Sequence, residues 1–309
     1  MAPSARTVSP QVLPSLRRVG SALDQGRSIR VLRGGMVVAE GPHVDDDERK
    51  RDNETYGTQG SAAGSRQRSA GGEGAAGRSR PAGSLLQTGS GDFRNDFEES
   101  LPKLQLDYPG TRVWDDEIGL WAVVPSFPLG PDGPQAFLVA GLPYQDMPKR
   151  RCWGYWKARR PRWIGPRHTN FPEASICAFS EDVNAWRPDQ GLSQLFDFYS
   201  VWLLCQLHLQ AFERWPGPQH SINSYYRLNE FREGELCSCD SGRTYFECHR
   251  PQDLLEDPTR AEQEFRASAG IGLADRTVPK GVTRFVESNF AKAPSLIDVL
   301  PWPRLGGQR

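Results

Sequence analysis

The sequence predicts an α+β fold, an antiparallel β-meander with flanking helices, followed by a small module rich in cysteine and histidine. Three observations predict it. Strand-like runs succeed one another through tight turns, with no helical crossover between them. Helical hydrophobic patterns stand before and after those runs. Three cysteines and a histidine then crowd into residues 237–249. The chain is expected to divide into a disordered low-complexity segment (1–92), the α+β domain (93–225), the Cys/His module (230–255) and a helical or irregular C-terminal tail (256–309).

Residues 1–92 read as flexible coil. Of the 31 aromatic side chains only Tyr56 lies there, together with 15 of the 31 glycines. Such a composition offers too little apolar surface to offset chain entropy, and the stretch GSAAGSRQRSAGGEGAAGRSR has no hydrophobic period. Over the whole chain 38 basic residues balance 38 acidic ones. That balance argues against a broad electrostatic footprint for nucleic acid. No apolar run reaches the ~20 residues of a membrane helix. No continuous apolar segment marks a secretory signal, and three clustered cysteines suit metal binding in a reducing compartment. A cytoplasmic protein without a membrane or nucleic-acid partner is expected.

Order begins at Asp92. Phe93, Phe97, Leu101 and Leu104 share one face of a helix, which Asp92 can cap and which Pro102 should keep short. The runs GLWAVVPSF (119–127), QAFLVAGL (135–142) and CWGYWKA (152–158) are rich in β-branched and aromatic residues and are bounded by turn residues. A loop follows from Arg160 to Pro188. The next helix starts near Asp189 and ends near Trp215. Its stripe of Leu192, Leu195, Phe196, Tyr199, Trp202 and Leu203 must pack on the sheet.

The loop carries His168-Thr169-Asn170, then Ser175-Ile176-Cys177-Ala178, then Trp186-Arg187-Pro188. These residues, with the preceding helix and meander, resemble the ubiquitin-conjugating enzyme family, whose active-site segment holds a His-Pro-Asn triplet, a Gly/Ser-Ile/Leu-Cys-Leu motif and a Trp-x-Pro. The resemblance covers roughly residues 93–220. Thr169 stands where the family has proline, and Ala178 where leucine is usual. A narrower resemblance is to the bacterial branch in type II CBASS antiphage operons. Its features are matched by Trp121 to Pro125, His168-Thr169, Trp202 and the run Trp215-Pro-Gly-Pro-Gln-His220.

The resemblance implies a thioester-transfer enzyme with Cys177 as the carrier. A cysteine thiolate is both nucleophile and leaving group, so its thioester stays open to attack by an amine. Asn170 matches the family asparagine, whose amide donates to the developing oxyanion. His168 would brace the loop, and Glu181 or Asp182 is the nearest acidic residue to assist an incoming amine. The expected partners are a separate activating enzyme and a carried protein, in the CBASS branch a cyclic-nucleotide synthase. The competing reading is a catalytically inactive conjugating fold that serves as a binding module, with Cys177 a small apolar residue of the core. Cys152 and Cys205, in a strand-like and a helical run, read as core.

Cys237, Cys239, Cys248 and His249 form the spacing C-x-C-x8-C-H. Zinc takes four such ligands in a tetrahedron, and a closed set leaves no position for substrate. Gly242 permits the turn between the two pairs. The segment resembles the SEC-C motif, with Ser241, Gly242 and Tyr245 in place and Asp240 where glycine is usual. The resemblance implies a Zn2+ docking module. The zinc segment and the Cys177 loop are expected to be independent, so that metal removal spares Cys177. Beyond it, 258–270 reads as a helix capped by Asp257, 284–302 as a further short helix, and the Gly306-Gly307 end as a frayed terminus.

Overall fold

The computed structural model describes residues 10–27, 29–31, 37–39, 92–127, 134–146, 149–178, 186–221, 223–239, 241–269, 272 and 275–300. Its centre is a five-stranded antiparallel sheet in sequential order: β3 (Arg112–Asp116), β4 (Gly119–Pro125), β5 (Ala136–Pro143), β6 (Arg151–Trp156) and β7 (Arg162–Trp163). The register places Trp121 opposite Trp114 and Gly141, and Val139 opposite Trp153. This is the expected meander, with the short strands β3 and β7 added at its edges. A separate hairpin pairs β1 (Ile29–Val31) with β2 (Val37–Ala39).

Both faces of the sheet are buried, so its strands read as near-continuous apolar runs. Leu120, Ala122, Val124, Leu138, Ala140 and Leu142 point to an inner core, completed by α2 (Arg94–Asp107) and α3 (Leu192–Phe212). Trp121, Val123, Val139, Trp153 and Tyr155 point to the opposite side. There α7 (Lys280–Glu287) and the turn at Leu296–Asp298 cover them with Val282, Phe285, Val286, Leu296 and Leu300. Gly141 admits this layer, since a Cβ there would lie 2.7 Å from Leu296. The C-terminal residues, expected as a helical or irregular tail, therefore cover one face of the sheet.

Helix α2 spans 14 residues with Pro102 inside it. The expectation of a short helix fails because Pro102 and Glu98, whose carbonyl loses its partner, both lie on the exposed side. Asp92 accepts from the Arg94 N–H at 3.0 Å, but it stands one residue before the cap position, which Phe93 occupies without a side-chain bond. Tyr108, at the end of α2, is buried and donates to Asp197 at 2.6 Å, tying α2 to α3.

Helix α3 is buried on almost every side, including Gln206 and His208. Its third neighbour is α1 (Leu13–Asp24), which brings Val12 and Leu16 into the inner core. Within the segment expected as flexible coil, Leu13–Asp24 is thus helical. Val12, Leu16, Val19 and Leu23 form an aliphatic helical face that a count of aromatics overlooks. Residues 40–91, and the Gly306-Gly307 end, lie outside the described residues. No helix among the described residues is long and apolar enough to cross a membrane.

Candidate functional site

The Cys177 loop is a miniature hairpin on the end of the sheet. Thr169 bridges Ile176, the Cys177 N–H donates to the His168 carbonyl at 3.0 Å, and the Asn170 N–H donates to the Ser175 carbonyl at 2.7 Å. The Ile176 N–H reaches the Cys152 carbonyl of β6 at 2.7 Å. Trp153 donates to the Glu173 carbonyl at 2.8 Å, and Arg151 pairs with the Glu173 carboxylate. Ile176 is buried, whereas the Cys177 side chain is exposed. Trp186 packs in the inner core and donates to the Gly191 carbonyl at the start of α3.

Asn170 lies within this hairpin. Its amide nitrogen donates to Ser175 Oγ and to the Ile176 carbonyl, both at 3.1 Å. An asparagine amide has two hydrogens, so both are taken by the loop. His168 is half-buried, stacks on Trp215 at 3.9 Å between ring centres, and contacts Gln219 through Nε2 at 3.0 Å. Burial, then the adjacent Arg167 charge, pulls its imidazole down to about 3. At neutral pH it is uncharged. Glu181 and Asp182 lie outside the described residues. Cys152 and Cys205 are buried, and burial pushes the Cys205 thiol up to about 12.

The second cluster is assembled by a knuckle. Leu236 bridges Thr244, the Cys237 N–H donates to the Arg243 carbonyl at 2.9 Å, and Gly242 makes the turn at φ +69°. Buried Tyr245 fixes the knuckle from below and donates to Asp253 of α5 (Arg250–Asp253) at 2.9 Å. Asp253 also receives Arg227 of α4 (Ser224–Glu230) through two guanidinium nitrogens.

This geometry brings all four expected ligands together. One donor atom from each of Cys237, Cys239, Cys248 and His249 lies within 4.8 Å of the others. Cys239 Sγ is 3.4 Å from Cys248 Sγ, and His249 Nδ1 is 3.2 Å from Cys237 Sγ. Four such donors gathered at one point could hold a metal ion. The Ser241 hydroxyl draws the Cys239 thiol down to about 6, while burial pushes Cys237 up to about 11.

A feature that sequence reading missed lies between the two clusters. Arg167, Glu230, Glu235 and Arg276 form a buried network of two cations and two anions. Their sequence separations gave no pattern to find. The chain matches no protein-family model, no curated protein and no solved structure.

Proposed function

We propose that the chain is a ubiquitin-conjugating-like thioester-transfer protein that carries a protein C-terminus on Cys177. The single observation behind this reading is an exposed thiol on a loop that stands in the chain order helix, meander, cysteine loop, helix. Cys177 thiolate attacks the carbonyl of an incoming thioester and expels its sulfur as a thiolate. An amine then attacks the new thioester, gives up a proton to solvent, forms an amide and returns the Cys177 thiolate. A separate activating enzyme would load the cysteine. The carried protein would follow the CBASS resemblance, a cyclic-nucleotide synthase, with the Cys3His module holding Zn2+ and docking a partner.

The second reading, a non-catalytic binding module, draws on a specific observation: both Asn170 amide hydrogens are engaged inside the loop. A short peptide thioester ending in glycine separates the two. On the transfer reading it adds to Cys177 as a thiol-reversible mass increment, and added lysine discharges it as an amide. Cys177→Ala abolishes the adduct. An adduct that persists in Cys177→Ala, or one that only hydrolyses in the presence of lysine, favours the binding module.

A further inference from the structure

The Cys177 loop and the Cys3His module share one buried ion network. Arg167 immediately precedes His168. Its Nη2 donates to Glu235 Oε2 at 2.9 Å and to Gln219 Oε1 at 2.6 Å, and its Nη1 donates to the Glu230 carbonyl. Its Nε faces Glu230 Oε2 at 3.3 Å. Arg276 pairs with Glu230 from the other side and reaches Thr169 Oγ1 at 3.3 Å. Gln206 of α3 holds the Arg167 carbonyl at 2.6 Å.

Glu235 is the hinge of this arrangement. It is fully buried, and its carboxylate also accepts from Trp215 N–H at 2.7 Å and from Gln219 Nε2 at 2.9 Å. Gln219 and Trp215 are the groups that hold His168. Glu235 stands two residues before Cys237, and its own carbonyl accepts from Tyr245 N–H at 2.8 Å, inside the knuckle. The knuckle fixes its position, and a metal ion bound to the three cysteine sulfurs and the imidazole would hold the knuckle closed. A buried guanidinium whose carboxylate moves away is left as an uncompensated charge, one of the costlier defects in an interior.

We infer that the Cys3His module is the positioning element of the Cys177 loop: metal bound at Cys237, Cys239, Cys248 and His249 fixes Glu235, which through Arg167 holds residues 166–178. The two regions are then coupled, against the independence expected from the sequence. The inference rests on the metal reading of the four ligands and does not depend on thioester transfer.

The test is hydrogen exchange on the full chain with zinc bound and after removal by a chelator, with metal content measured in parallel. Metal loss should speed exchange of the Asn170, Ala174, Ile176 and Cys177 amides by roughly tenfold or more, because their bonds open locally. Amides of β4 and β5 should be unchanged. Glu235→Gln keeps an acceptor for Trp215 but loses the charge. It should loosen the same four amides while retaining its zinc, a result that a purely local role for the metal would not give. Should Glu235→Gln fail to fold, the chelator comparison on the unaltered chain decides alone. Loop exchange that is unaffected by metal loss overturns the inference. So does exchange that rises equally in the sheet, or a chain purified without chelator that holds no metal.

Discussion

Asn170 and His168 show how a residue's neighbours set its role. Asn170 spends its amide on Ser175 Oγ and the Ile176 carbonyl. Asn170→Ala should therefore cost about 1–3 kcal/mol, read from denaturant unfolding. On the thioester reading it should slow loading and discharge of Cys177 alike. Slowing confined to discharge would show that the amide turns toward the reacting oxygen. His168 gives a pH signature. Its imidazole binds a proton near 3 when folded and near 6.5 when unfolded. The unfolded chain thus takes up the proton first as pH falls. The stabilisation is complete above about 6.5 and is lost progressively toward 3. His168→Asn suits the left-handed backbone here, φ 50°, which asparagine tolerates. Its melting temperature should fall less steeply from pH 7 to pH 4 than that of the unaltered chain. His208, also lowered by burial, is present in both proteins and cancels.

At the scale of elements, α1 is the unexpected one. Leu16 is 1% exposed in the inner core, and Leu16→Ala should cost about 2–5 kcal/mol. Gly20 lies against His208: a Cβ there would meet Nε2 at 2.3 Å. Gly20→Ala should therefore destabilise by about 1–3 kcal/mol through overpacking, although alanine is the better helix former. Thermal unfolding of the two variants checks both. Neutral substitutions would mean that α1 does not dock on α3. Asp24 supports the same docking by accepting from Arg214 and from the Gly217 N–H.

For the molecule as a whole, the sheet needs both of its covers. Phe285 of α7 packs edge-on against Trp114 and Trp121, and Trp121 donates to the Pro294 carbonyl at 2.7 Å. Phe285→Ala should cost about 3–5 kcal/mol. Ending the chain before Lys280 should leave Trp121 and Trp153 open to solvent, detected as binding of an apolar dye and as self-association. A truncated chain that stays monomeric and binds no dye would contradict the two-sided packing.

Much of this was legible in the sequence, because the signals are local. Turn residues and β-rich runs determined the meander, and the stripe from Leu192 to Leu203 determined α3. The cluster of Cys237, Cys239, Cys248 and His249 was readable because its members lie within residues 237–249, where spacing alone limits their geometry. The Asp257 cap follows from the same short range, its carboxylate accepting from Thr259 N–H at 2.8 Å at the start of α6 (Pro258–Ala269). The tertiary structure alone decided what joins residues far apart. The role of the C-terminal layer depends on Leu296 meeting Gly141, and the docking of α1 on Gly20 meeting His208. The ion network joins Arg167 to Glu235 and Glu230 to Arg276. Each of these charged residues reads in the sequence as an ordinary solvated side chain. Only the fold removes them from water together, and a charge without its counter-ion could not stay there.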